Sequence, residues 1–372
     1  MFKASVTIGR IAGIPIRIHV SLLLGIPLLT WLFGMQVQYI ADGRELALAT
    51  NPYVLGGLLA VALFVSVGLH ELAHSLVALR RGIEIRNITL MLFGGVAQLD
   101  EEFVRDPSNE LAIASAGPIV SLLLGAGFMV LSYVAGSARP DIFLVFLLLG
   151  QLNIILAVFN LLPAFPTDGG RILRSLLAKR KSHLAATKIA SSLGQAFAFL
   201  FGIYGLISGN FFLILIAVFV YQGASQEYQA SLLRQTLSGF VVADLMSYPV
   251  SVVEENNTVQ QLLEQMYRER HSGYPVVDYD GQVKGCVTME DVQKVEPRLR
   301  DFTTVGQVMS CTMKTVNPDD DIYLALKEMS GADIGRLLVM DGDKLVGIIT
   351  RSDILKGFRL RMMEENSGGG VA

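Results

Sequence analysis

Charge is scarce in this chain. Asp, Glu, Lys and Arg make up 17% of its 372 residues, whereas soluble domains carry about a quarter. The hydrophobic share is 52% and the mean hydropathy is +0.50. That balance argues against a wholly soluble protein and points to a membrane protein. The net charge is −3, and no block of Lys and Arg suggests a nucleic-acid partner. Cysteine is rarer still. Cys286 and Cys311 are the whole complement, too few for a disulfide framework; both fall in the charged C-terminal third, where reduced cytosolic thiols are expected. No Ala-x-Ala-like site follows the first apolar run, so that run reads as a retained span and not a cleaved signal. Histidine numbers five, which makes each position informative.

What the chain has instead is long apolar runs, up to about residue 225. Beyond that point charged residues recur every few positions. The expected organisation is a membrane domain over 1–225, a linker over 226–240, soluble repeats over 241–297 and 304–360, and a disordered tail over 361–372. Spans need ~20 mostly apolar residues, and six are expected near 19–40, 54–79, 110–135, 141–162, 187–207 and 210–224. Lys3, Arg10 and Arg17 precede the first. Arg80, Arg81, Arg86 and Arg105 follow the second, and Arg171, Arg174, Lys179, Arg180, Lys181 and Lys188 follow the fourth. The alternate loops hold only Arg44 and Arg139. The cationic side is the cytosolic one, so a multi-pass cell-membrane protein with both termini and the soluble repeats in the cytosol is expected. The segment 83–102 is too polar and β-branched for a span. It reads as a hairpin turning at Gly94-Gly95, either an ordinary connection or an exposed edge able to pair with an extended peptide.

Inside the second span stands "HELAH". His70 and His74 share one helix face, one turn apart, and both imidazoles can reach one zinc ion. Glu71 is placed to act on a water at the metal and not to bind the metal itself. Ionisable groups within a span are rare and mostly functional. A catalytic zinc commonly keeps three protein ligands, so a third is required. His19 starts the first span, His183 lies in a cationic loop, and His271 belongs to the soluble part. Asp168, in "NLLPAFPTDGGR" directly after the fourth span, is the best third ligand. Pro163, Pro166 and Gly169-Gly170 interrupt the helix there and allow an extended stretch that can aim a side chain inward. The alternative is an N-cap for a helix starting near Gly170. Asn160, at the end of the same span, either donates to a developing oxyanion or a substrate strand, or ties helices together.

"HELAH" within a span, followed by "NLLPAFPTDGGR", resembles the site-2 protease family of intramembrane zinc metalloproteases. "SAGP" at Ser115 to Pro118, "FGGVA" at Phe93 to Ala97 and the opening "GIPIRIHVS" also resemble family segments, and together they cover most of residues 8–225. The resemblance implies one catalytic Zn2+ held by His70, His74 and Asp168, with Glu71 as general base. It implies that Asn160 serves substrate positioning or the oxyanion, and that residues 83–99 form a β element that pairs with substrate. The substrates it implies are transmembrane proteins cut within the lipid bilayer.

The soluble part repeats itself. Gly273, Gly285, Thr288 and Asp291 recur 62 residues on as Gly335, Gly347, Thr350 and Asp353. Each copy reads as a short strand, an amphipathic helix, a hairpin with an acidic Gly turn, and a second helix. The pair resembles tandem CBS domains. That resemblance implies an adenine nucleotide (ATP, ADP or AMP) between the repeats, contacted by Thr288 and Asp291 and by Thr350 and Asp353. The alternative reading of both Thr-x-x-Asp stretches is a capping box without ligand. Such pairs often associate face to face, which makes a homodimer one expectation. The expected fold is therefore a polytopic α-helical membrane domain of about six transmembrane helices with a short β element, followed by a cytosolic α/β tandem CBS pair. The expected activity is intramembrane zinc proteolysis modulated by nucleotide. The alternative, a nucleotide-regulated transporter or channel, would spread its ionisable residues along a path; here they gather at one depth.

Overall fold

The computed structural model describes residues 5–92, 94–99, 106–136 and 138–368. Lys3, Phe93, Arg105 and residues 100–102 of the expected hairpin segment lie outside the described residues, as does the tail beyond 368. The chain forms two compact units, Met1–Ser231 and Leu232–Ala372.

The first unit opens with a hairpin of β1 (Ser5–Ile11) and β2 (Ile14–His19). There follow α1 (Val20–Gly43), α2 (Pro52–Arg80), β3 (Ile85–Met91), β4 (Gly94–Leu99), α3 (Pro107–Ala135), α4 (Pro140–Asn160), α5 (Asp168–Ala178), α6 (His183–Ser208) and α7 (Phe211–Leu237). Among the described residues six helices, α1 to α4 with α6 and α7, are long and apolar enough to cross a membrane. Each overlaps an expected span, and α7 continues to Leu237, beyond the expected end at 224. Their starts follow ordinary capping chemistry. Proline, which lacks the N–H that a first turn leaves unpaired anyway, begins α2, α3 and α4. The Asn51 and Asp106 side chains accept from the Tyr53 and Ser108 amides.

The β element is larger than expected. Besides β3 and β4 it includes the N-terminal hairpin, in the order β1-β2-β3-β4. β2 runs parallel to β3, with Ile16 opposite Ile88, and β3 runs antiparallel to β4. β1 is exposed along most of its length, so it carries little of the apolar alternation by which strands are read. Gly94 and Gly95 begin β4, and the turn lies just before them.

The second unit contains α8 (Val242–Leu245), β5 (Val253–Glu254), α9 (Val259–Glu269), β6 (Gly273–Val277), β7 (Val283–Thr288), α10 (Met289–Gln293), α11 (Val305–Val308), β8 (Thr315–Val316), α12 (Ile322–Ala332), β9 (Arg336–Asp341), β10 (Lys344–Thr350) and α13 (Arg351–Gly368). It has two three-stranded sheets, β5-β6-β7 and β10-β9-β8, each covered by the amphipathic helix its copy was expected to supply. The copies exchange their leading segments. Val242 of α8 and Leu237 pack into the core of the second repeat with Ile322, Met329, Leu337 and Ile349. Val305 of α11 packs into the core of the first with Val259, Leu262, Tyr274 and Val287. Backbone bridges repeat the exchange: Ser247 pairs with Ile348 of β10, and Ser310 pairs with Cys286 of β7. The copies expected over 241–297 and 304–360 thus each lend their leading segment to the core of the other.

Residues 226–237 of the expected linker are the end of α7, followed by a turn at Gly239 with φ of 89°. The tail, expected to lose order at 361, is helical to Gly368; Phe358 packs onto the second core and Met362 meets Thr236.

With its own apolar cores, the fragment from Leu232 onward should fold alone and unfold in one cooperative urea transition. In that fragment Leu337→Ala, at a fully buried position, should cost roughly 2–5 kcal/mol, read from the shift in the urea midpoint.

Candidate metal centre

Two elements deliver the side chains. α2 carries His70 and His74, both buried, and Glu71 on the adjoining face. α5 starts at Asp168, which occupies its first turn; Thr167 is the residue before the helix. Asp168 is thus not the N-cap. The stretch 161–167 between α4 and α5 is irregular and tightly folded. Thr167 Oγ1 donates to the Leu162 and Ala164 carbonyls at 2.7 and 2.8 Å. A Cβ on Gly169 would come within 2.2 Å of the Leu162 carbonyl oxygen, and one on Gly170 within 2.6 Å of the Ala164 carbonyl carbon. Only residues without a side chain let that stretch fold back on the first turn of α5, and the fold-back aims Asp168 at α2.

The three acceptor atoms converge. His70 Nε2 lies 3.1 Å from His74 Nε2, and each lies 3.2 Å from Asp168 Oδ2. The other ring nitrogens are occupied. His74 Nδ1 donates to the Ile113 carbonyl at 2.6 Å, and a carbonyl can only accept, so the His74 Nε2 lone pair faces the cluster. His70 Nδ1 meets Ser121 Oγ at 2.9 Å. Both anchors belong to α3. Ligands at about 2.0–2.1 Å from a tetrahedral zinc ion stand roughly 3.3 Å from one another, so the triangle has the size that ion requires. Lone pairs and a carboxylate gathered this closely in a buried place also repel one another unless a cation or protons join them, and the donor set suits zinc.

Two glycines shape the space. A Cβ on Gly117 of α3 would come within 2.2 Å of His74 Nε2 and 2.6 Å of His70 Nε2. A Cβ on Gly95 of β4 would come within 2.3 Å of Glu71 Cγ, so the β4 backbone lies against the glutamate. β4 is a terminal strand of its sheet.

Asn160 closes α4, where its amide donates to the Leu156 carbonyl at 3.0 Å; this contact belongs to its own helix and not to the triangle. His19 caps α1 through Ser21, His183 begins α6, and His271 stands edge-on to Tyr274. In the second unit Thr288 Oγ1 donates to Asp291 Oδ2 at 2.8 Å and Thr350 Oγ1 to Asp353 Oδ2 at 2.6 Å. The capping pattern has therefore formed in both repeats.

Sequence reading missed Ser121, Gly117 and the Ile113 carbonyl. "SAGP" pointed to Gly117's neighbourhood, but its closeness to two imidazoles required the packing of α3 on α2. A backbone carbonyl has no sequence signal at all.

The model for peptidase family M50 matches residues 58–138 and 134–201, and the model for the CBS domain matches residues 242–297 and 305–359. A zinc metalloprotease of Methanocaldococcus jannaschii is 34% identical over 364 residues, 97% of this chain and 98% of that protein. A candidate zinc metalloprotease of Mycobacterium tuberculosis is 33% identical over 370 residues, 95% of this chain and 93% of that one. The solved structure of a site-2 protease from Methanocaldococcus jannaschii shares 37% identity and covers 60% of this chain and 95% of that one, with a TM-score of 0.43.

Gly117→Ala should lower zinc content, measured by elemental analysis of the purified protein, while the helical circular dichroism stays at the wild-type level. The added methyl would occupy space the two imidazoles need.

Proposed function

This chain belongs to peptidase family M50, the site-2 proteases, as a zinc metalloprotease with a pair of CBS domains, and on that premise we propose that it cleaves peptide bonds in or near transmembrane segments of other membrane proteins. The observation that carries this reading is the triangle of His70, His74 and Asp168, closed at 3.1 and 3.2 Å by α2 and α5. Those three residues would hold the zinc ion. Zinc supplies a Lewis acid that acidifies water and polarises a carbonyl.

The chain's own groups do the rest. Glu71, one residue beyond His70, takes a proton from the attacking water and returns it to the leaving nitrogen. Ser121 and the Ile113 carbonyl keep both imidazoles oriented through the cycle. Asn160, released from Leu156, steadies the substrate or its developing oxyanion. A helical substrate hides its scissile bond in its own hydrogen bonds and must unwind. The terminal strand β4, lying against Glu71 at Gly95, offers backbone partners for the unwound segment. This reading favours helix-breaking residues in the substrate.

The distribution of Lys and Arg supports a cytosolic placement of the CBS pair. There Thr288 with Asp291, and Thr350 with Asp353, offer hydroxyl and carboxylate groups to an adenine nucleotide, whose binding modulates cleavage. A transport function has no observation in its favour: the buried ionisable residues of α2 converge on one point and do not mark a path.

Glu71→Gln, reconstituted with a membrane-embedded substrate, should keep its zinc and lose cleavage by roughly 10²-fold or more; cleavage at the wild-type rate would remove Glu71 from the reaction. Wild-type protein should cleave at different rates with and without ATP. Equal rates, unchanged again after deletion of residues 240–372, would end the nucleotide role and leave the protease intact.

A further inference from the structure

The Arg174 guanidinium is buried and is used by neither the triangle nor the proton transfers. Its Nε and Nη2 groups donate to Glu110 Oε1 at 2.8 and 2.5 Å, and Nη1 donates to Glu227 Oε1 at 2.7 Å. Its plane also rests on Phe165, 4.7 Å from the ring centroid. These partners belong to three elements that surround Asp168. Phe165 precedes Asp168 by three residues and is itself clamped. Its amide donates to the Ala190 carbonyl at 3.3 Å, and a Cβ on Gly194 would come within 2.2 Å of its carbonyl oxygen. Glu110 lies on α3, about one turn before Ile113, and α3 also carries Ser121. Glu227 lies on α7, whose Gly223 packs on Pro166. The next residue, Ser175, donates to the Pro107 carbonyl at the start of α3.

We propose that Arg174 is a positioning residue for Asp168: one guanidinium locks the first turns of α5, and the stretch leading into it, to the helix that orients both histidines. This inference rests on the reading of His70, His74 and Asp168 as zinc ligands. The chemistry favours such a role over a purely stabilising one. A buried ion pair adds little stability over apolar residues of similar volume, but a planar fork held by two carboxylates and an aromatic face permits one orientation. His70 and His74 sit on one helix, so their mutual spacing is set by α2. Asp168 alone comes from a separate element, and the Arg174 contacts join that element to α3, the helix that anchors both imidazoles.

The test compares wild type, Asp168→Asn, Arg174→Gln, Glu227→Gln and the Arg174→Gln/Asp168→Asn double variant. Each is purified at full length in detergent, and zinc affinity is measured by competition with a chromogenic chelator. Loss of an orienting partner typically weakens metal binding 10–100-fold. Arg174→Gln should lose roughly that much, and Glu227→Gln less, because Arg174 keeps its Glu110 contacts. In the Asp168→Asn background, Arg174→Gln should cause no further loss, since the ligand it positions is already gone. Proteolysis by Arg174→Gln should fall in kcat with KM little changed, and Arg174→Lys should restore only part of it. Wild-type zinc affinity in folded Arg174→Gln, or an equal loss in both backgrounds, would overturn the proposal. If Arg174→Gln fails to fold, Arg174→Lys and Glu227→Gln carry the same comparison. Wild-type zinc affinity in Asp168→Asn would instead overturn the ligand assignment, and the positioning role with it.

Discussion

Mutual repulsion among three acceptor atoms is the constraint on which the membrane unit depends. Two imidazole nitrogens and a carboxylate oxygen meet within 3.2 Å of one another, in a largely buried place where charge is weakly screened. Such a cluster is stable when a cation sits among its members, and it is useful when they arrive already oriented. Much of the surrounding architecture serves orientation. The Ile113 carbonyl assigns the His74 tautomer, Ser121 holds His70, and Gly117 leaves the space between them open. Asp168 is brought across from a different element by a stretch that only Gly169 and Gly170 allow to fold so tightly.

The same economy governs the other polar groups in the bundle. A helix surrounded by hydrocarbon must satisfy its polar side chains from neighbouring helices. Asn153 donates to Ser66 across α4 and α2, and Glu110 is matched by Arg174. Each contact joins two elements at one register, so polar pairing specifies how apolar helices, which would otherwise slide on one another, come to rest.

In the second unit the constraint is different. A repeat whose strands and helix bury one face leaves that face incomplete. Here each copy is completed by the segment that leads into the other: α8 closes the second core and α11 the first. The pair therefore folds as one body, and its two Thr-x-x-Asp turns occupy equivalent places at the ends of β7 and β10.

Periodicity and spacing were enough for much of this protein. Apolar length placed six spans, because hydrocarbon thickness permits few alternatives. The spacing of His70 and His74 placed both on one helix face, because the α-helical repeat leaves no choice. The 62-residue recurrence exposed two similar modules. What remained hidden depends on partners distant in the chain. β1 and β2 join β3 through parallel pairing, which leaves little local trace in exposed strands. Glu110 is visible as an acid near the start of an apolar run, and Arg174 as one cation among several in a loop; nothing local joins them. The exchange of α8 and α11 cannot be read from copies aligned end to end. Sequence by itself determined which residues could bind a metal, since that is a matter of chemical type and helical repeat. Tertiary structure alone decided that Asp168 reaches them, because the meeting of separate elements is settled by packing and by buried polar contacts that no local pattern encodes.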